Sequence, residues 1–152
     1  MNLPERFRAF RIHSDDSHRA DIETLAPADL SPGAITLRVH YSSVNYKDAL
    51  AGTGTGKILR RSPLVGGIDV AGEVVASEIP EFTPGQSVLA PGSGLSETRD
   101  GGYSESLRLP AEAAIAIPEG LDTREAMILG TAGFTAALAL FLMEANGQTP
   151  DM

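Results

Sequence analysis

Residues 126–143, AMILGTAGFTAALALFLM, are eighteen consecutive positions without a charge, the lower threshold at which an apolar run can cross a bilayer as one helix. Either a membrane or the rest of the fold has to take this run out of water. Two features argue against a span. Gly130, Thr131 and Gly133 interrupt the run after four apolar residues, and Glu125 and Glu144 flank it where Lys or Arg would be expected. The pattern predicts two buried helices instead. Asp122 and Glu125 form a D-x-x-E start in which each side chain can satisfy an orphan N–H of the other's turn, opening a first helix over residues 123–129. A second is expected over residues 134–145, apolar all round as in a helix sandwiched between other elements.

Upstream of this run the signals are those of strands. Residues 34–44, AITLRVHYSSV, alternate, with Ile35, Leu37, Val39 and Tyr41 on one face and Thr36, Arg38, His40 and Ser42 on the other. Further short strands are expected over residues 7–12, 68–77, 87–91, 103–110 and 113–118, most of them ended by Gly or Pro. Several short strands separated by turns predict a small barrel or sandwich. Helix signals replace strand signals near residue 121, which divides the chain into segments 1–120 and 121–152.

With 152 residues, 42% of them apolar, the chain can bury one globular core. A net charge of −8 argues against unaided binding to nucleic acid or an anionic membrane, since a phosphate groove needs clustered cations. The absence of cysteine excludes disulfides, thiol nucleophiles and thiolate zinc sites, and fits a cytoplasmic protein. Charges and a proline within the first eight residues leave no room there for the apolar segment of a secretory signal.

GTGTGK, residues 52–57, resembles a phosphate loop but fails as one. Gly52 and Gly56 are one residue too close for a Walker loop, and Ile58 stands where the magnesium-binding hydroxyl belongs. The alternating Gly52, Gly54 and Gly56 also miss the G-x-G-x-x-G of a dinucleotide turn. A surface loop is the expectation. Just before it, Asn45 is placed to cap a short helix, YKDAL, with Asp48 near its positive end. Capping explains Asn45 and Asp48 but leaves Tyr46 and Lys47 at the first helical turn, where side chains project past the strand end into whatever cleft lies there.

The blocks SSVNYKDAL (residues 42–50), PLVGGIDVAGEVV (63–75), FTPGQSVL (82–89), GGYSESLRLP (101–110), IPEGLD (117–122) and AMILGTAGFTA (126–136) occur in this order. Together they resemble the zinc-free quinone-oxidoreductase branch of the medium-chain dehydrogenase/reductase superfamily, and most of all its acryloyl-CoA reductase subgroup. The resemblance implies a mainly β fold. A GroES-like, partly open β-barrel would occupy residues 1–120, and two helices in 121–152 would lead into a Rossmann domain missing from the chain. Zinc-dependent relatives carry Cys where this chain has Asn45, and His where it has Ile68. A catalytic zinc needs three such ligands, and His13, His18 and His40 have no shared spacing, so no metal is expected. Asp69 is read as a structural hydrogen-bond or ion-pair partner.

The activity so implied is NADPH-dependent reduction of an activated C=C bond, acryloyl-CoA to propionyl-CoA, by hydride transfer without zinc. Asn45 is the candidate catalytic residue, to polarise a carbonyl or orient the cofactor's carboxamide. Tyr46, Asn45 and Thr131 are candidates for NADPH binding; for Thr131, between the two helices, an N-cap role is an equal alternative. Lys57, Arg60 and Arg61 are candidates for steering the phosphates of a CoA thioester past the loop at 52–57, against a reading as a solvated charged loop. The glycine-rich pyrophosphate turn of the family is not present, so the isolated chain is expected to be inactive. The alternative is a non-enzymatic GroES-like module that forms a homo-oligomer, or binds a partner, through the apolar helix 134–145.

Overall fold

The computed structural model describes residues 4–15 and 17–148, so the end of segment 121–152 lies outside the described residues. The strands form two antiparallel sheets. One orders β2 (Arg19–Leu25), β1 (Phe7–His13) and β4 (Leu64–Val65). The other orders β7 (Ser106–Leu109), β3 (Ile35–Tyr41), β5 (Asp69–Ser77), β6 (Ser87–Pro91) and β8 (Ile115–Ala116). Residues 103–105 join them: Phe10 N–H donates to Tyr103 O at 2.8 Å, Glu105 N–H to Arg8 O at 3.0 Å, and Val39 N–H to Glu105 O at 3.1 Å. One seam of the barrel is thereby closed by loop backbone, and the architecture is the expected partly open GroES-like barrel.

The strand alternation sets the core. Ile35 and Leu37 point inward with Val70, Val74, Val88, Leu107 and Leu109. The inward face of β3 fades at its end, where Tyr41 is 46% exposed. Two causes act there: β7 covers only Ile35–Arg38, and the pairing with β5 slips between Val39 and Tyr41. A second cluster gathers Phe7, Ala9, Leu25, Leu30 and Val65 against Tyr103.

Strand β2 was not expected. Its Arg19, Asp21 and Glu23 put charge along an edge where one side of the ladder is unpaired, so no apolar alternation marks it. Strand β4 is two residues long, too short for periodicity. The glycine run also differs from expectation. Helix α1 (Tyr46–Thr53) extends through Gly52, and Gly54, at φ 73°, is its left-handed C-terminal cap, so the run starts as helix rather than loop.

Helix α2 (Thr123–Ala145) opens on the expected reciprocal cap: Glu125 N–H donates to Asp122 Oδ1 at 2.7 Å, and Asp122 N–H to Glu125 Oε2 at 2.9 Å. Gly130 is non-helical (φ 51°, ψ −160°) and splits it into two arms, as the interruption in the sequence predicts. Only one face of the first arm is buried: Ala126 and Met127 pack on Ala71, flanked by Leu89, Ile117 and Leu121, while Ile128 and Leu129 are exposed. The expectation of two buried helices is therefore half wrong. The first turn of the second arm, Gly133, Phe134 and Ala137, lines an apolar cavity with Leu89, Pro91 and Ile115, but Phe134, Leu138, Leu140, Phe141 and Leu142 are exposed. By length and composition the whole of α2 could cross a membrane.

Candidate functional site

At the end of β3 the chain turns through Ser42–Asn45 into α1, and this turn lies against the start of β5 and the kink of α2. Asp69, the first residue of β5, is fully buried there. Its Oδ2 accepts from Asn45 Nδ2 at 2.9 Å and from the Thr131 backbone N–H at 3.0 Å. The Thr131 hydroxyl donates to Oδ1, and Gly92 N–H makes a longer contact of 3.3 Å with the same oxygen. Burial alone pushes the Asp69 carboxyl up, but the Thr131 backbone and hydroxyl bonds and the Asn45 amide outweigh it and hold the group below its usual range. The carboxylate is ionised at neutral pH.

The kink has a simple hydrogen-bond account. In an unbroken α-helix the N–H of Thr131 would donate to the carbonyl of Met127, four residues back. Here that bond is divided between two barrel groups. Thr131 N–H goes to Asp69, and Met127 O accepts from Ser43 Oγ at 3.1 Å. Neither of these two helical groups is orphaned, which lowers the cost of the break. A carboxylate at the start of the second arm also faces the positive end of its dipole.

Asp48 braces the same turn from beneath. It is 6% exposed and accepts from Asn45 N–H at 2.8 Å and Ile68 N–H at 2.9 Å. The expected cap of α1 is thus made by Asp48, while the Asn45 side chain is drawn away to Asp69. Tyr103 completes the floor. Its hydroxyl donates to Ser43 O at 3.0 Å, and burial, followed by the charge of Asp48, raises its phenol well above the usual range, so it stays a donor.

The candidate residues therefore have different fates. Asn45 is anchored through one N–H of its amide, with its oxygen and second N–H still available. Tyr46, beside it on the first turn of α1, is 80% exposed. Thr131 is brought to the same place, with its N–H and hydroxyl proton both directed at Asp69, which leaves its hydroxyl oxygen as the atom that could meet a cofactor. Its N-cap alternative is nearer the fact, with Asp69 supplying the cap from another strand. The three cations do not form one site. Lys57 lines a polar cavity of about 330 Å³ with Ser14 and His18 at the C-terminal end of α1, and that eight-residue helix sets the cavity about 12 Å from Tyr46. Arg60 leans on Glu97, which Lys47 also engages at 2.7 Å. Arg61 is exposed.

The histidines lie apart: His13 bonds Glu23 at 2.7 Å, His18 bonds Gly52 O at 2.9 Å, and His40 approaches Thr123 Oγ1 at 3.4 Å. Among the described residues no three His, Cys, Asp or Glu side chains are grouped to hold a metal. Ser43, Asp48 and Tyr103 were missed as site residues. Their adjacency depends on pairing between segments far apart in sequence, and only the co-occurrence of the blocks at 42–50 and 101–110 hints at it.

The model of the alcohol dehydrogenase GroES-like domain matches residues 31–119. Probable acrylyl-CoA reductase AcuI of Escherichia coli is 48% identical over 136 residues, which cover 90% of this chain and 42% of that protein. Putative quinone oxidoreductase YhfP of Bacillus subtilis is 43% identical over 146 residues, covering 95% of this chain and 44% of that one. The solved structure of the YhdH oxidoreductase from Salmonella enterica, in complex with NADP, superposes with a TM-score of 0.91 at 46% identity, covering 95% of this chain and 45% of its own. The chain spans less than half the length of these relatives. On the matched domain, the ordered motifs and the shared architecture, it belongs to the alcohol dehydrogenase GroES-like family of the medium-chain dehydrogenase/reductase superfamily.

Proposed function

We propose that this chain is the barrel portion of an NADPH-dependent reductase of activated carbon–carbon double bonds, acting without zinc, with acryloyl-CoA as substrate and propionyl-CoA as product. The observation that carries the reading is the pairing of an anchored amide with an exposed phenol at one rim: Asn45 is held from behind by Asp69 while Tyr46 stands free beside it. Bound NADPH would supply a hydride to the β-carbon of a conjugated thioester. Asn45 retains an amide oxygen and an N–H, which suit a carboxamide or a substrate carbonyl. The Tyr46 phenol can donate to or accept from the nicotinamide or ribose end. Their pre-set positions favour the transition state because no reorganisation is needed as charge builds on the carbonyl oxygen.

The pyrophosphate turn of a dinucleotide site, G-x-G-x-x-G, does not occur in the 152 residues. Tight cofactor binding in this reading needs residues beyond them, and the isolated chain turns over no substrate. Lys57 and Arg61 remain the cations better placed to meet a CoA phosphate, since Arg60 is already paired with Glu97.

The test is Tyr46→Phe in the polypeptide that carries this chain, followed by NADPH oxidation with acryloyl-CoA. Loss of one hydrogen bond predicts about a 5- to 10-fold rise in KM for NADPH with unchanged thermal stability. Wild-type kinetics would remove Tyr46 from the site, and a polypeptide that never oxidises NADPH with any enone or acryloyl thioester would refute the reading.

A second reading is favoured by the exposed second arm of α2. Phe134, Leu138 and Phe141 make an apolar surface of the kind that seeks a partner, and a second copy of the chain is one. In this reading the 152-residue chain sediments as a concentration-dependent dimer and Phe141→Glu returns it to monomer. A monomer throughout would dismiss it.

A further inference from the structure

The cavities, ion-pair clusters and exposed faces away from the rim carry no ligand-directed observation, but the buried carboxylate behind the rim does more than hold the fold. Among the described residues it is the one side chain bonded both to the candidate reacting amide and to the helix that bends away from the barrel. We propose that Asp69 is the positioning residue of this site: one carboxylate fixes the orientation of the Asn45 amide and the direction of the second arm of α2, so that the two cannot vary independently. The inference rests on the reductase reading for its kinetic consequence, but not for its structural one.

Three observations support it. Asn45 Nδ2 and Thr131 N–H converge on the same oxygen, Oδ2, at 2.9 Å and 3.0 Å. A shift of that oxygen moves both. The helical bond that would otherwise fix Thr131 to Met127 is absent, its two ends satisfied by Asp69 and by Ser43 Oγ. The barrel therefore shares in setting the direction of the second arm. Finally, Gly130 allows two arrangements: the observed bend, or an ordinary α-helical turn in which Thr131 N–H returns to Met127 O. Asp69 and Ser43 stabilise the first of these. Breaking the contact leaves Asn45 free to rotate and α2 free to straighten.

The experiment compares Asp69→Asn with wild type in two settings. Asp69→Asn keeps the volume but removes the charge and turns one of the two acceptors into a donor, so even with its oxygen kept toward Asn45 Nδ2 and Thr131 N–H the bonds lose their ionic strength and the Thr131 hydroxyl must turn from donor to acceptor. In the 152-residue chain, NMR follows the Thr131 backbone amide and the Asn45 side-chain amide. Hydrogen exchange at Thr131 is expected to accelerate by about 10-fold or more, as for a lost bond to a charged group, and both amide signals should shift together. In the polypeptide that carries this chain, kcat is expected to fall about 10- to 100-fold, as for a misplaced reacting group, with KM for the CoA thioester unchanged.

In a double-mutant cycle, Asp69→Asn should add little once Asn45→Ala is present, because it acts through Asn45. If Asp69→Asn fails to fold, Thr131→Val removes only the hydroxyl bond and should speed exchange at Thr131 while shifting the Asn45 signal in the same direction. Unmoved amide signals, or additive effects of Asp69 and Asn45 on kcat, would overturn the proposal. Should the polypeptide lack NADPH turnover, the reductase reading fails, and the two amide signals still decide whether Asp69 couples the helix to Asn45.

Discussion

Asp48→Ala is expected to destabilise the chain by about 3 kcal/mol, because one buried and one half-buried N–H donor lose a charged acceptor at about 1–3 kcal/mol each. Those donors belong to Asn45 and Ile68, bonded at 2.8 Å and 2.9 Å, and the carboxylate between them is almost wholly covered. For a chain of this length the loss corresponds to a fall of roughly 10 °C in Tm. Urea denaturation followed by circular dichroism would measure it. Asp48→Asn should be less damaging, since its amide oxygen still accepts from one of the two. The consequence for the rim is direct: Asp48 N–H and Ala49 N–H both reach back to Asn45 O, so losing the reciprocal bond loosens the turn that sets Tyr46. A change below about 0.5 kcal/mol, the range of an ordinary surface substitution, would mean that water replaces the carboxylate without loss.

How far this site can be read from sequence depends on how local each signal is. The strands of the second sheet are legible because the inward set Ile35, Leu37, Val70 and Val74 alternates, and the start of α2 is legible because its cap is made by residues three apart. Strand β2 is hidden by its charges, which sit safely on an edge. The segment around Asn45 is legible as a helix start, yet the partner of its side chain is not. Capping rules point Asn45 at the N–H of Asp48, whereas the fold offers a stronger acceptor, an ionised buried carboxylate twenty-four residues away. The same long-range choice decides Thr131, sixty-two residues from Asp69. Its hydroxyl has the right chemistry for a cofactor and for a cap, and only tertiary structure selects between them. Lys57, Arg60 and Arg61 are close in sequence yet differently engaged, because Glu97, on a distant turn, pairs with Arg60. The second arm of α2 shows the opposite limit. Its composition reads as buried, and nothing in a single helix tells which neighbour would bury it.

Gly130→Ala brings the second large effect, and both routes open to the variant are unfavourable. If the bend is kept, the new Cβ clashes with Ser43 Oγ and lies 2.9 Å from Asp69 Oδ2, and the residue must hold φ 51° with ψ −160°, a region essentially reserved for glycine. If the bend is given up, Thr131 N–H returns to Met127 O and alanine gains ordinary helical geometry. Asp69 then loses two of its donors while still buried, and Ser43 Oγ loses its acceptor. A buried carboxylate stripped of donors is destabilised by more than a single neutral bond is worth. Either way the expected loss is about 3 kcal/mol or more, at the high end for one methyl group. The two routes can be told apart. Straightening raises the far-ultraviolet helical signal and protects Thr131 in hydrogen exchange through a normal helix bond, whereas a strained bend leaves the helical signal unchanged. Gly133→Ala is the control, three residues on in the second arm, where the added methyl meets chiefly the Leu129 side chain one turn back. That methyl would lie 3.1 Å from Leu129 Cβ, a tight contact that offsets part of the helix-propensity gain, so the net effect should stay within about 1 kcal/mol of wild type. Equal and small effects at both positions would show that the bend is not held by the bonds to Asp69 and Ser43, and the coupling of this helix to Asn45 would lose its physical basis.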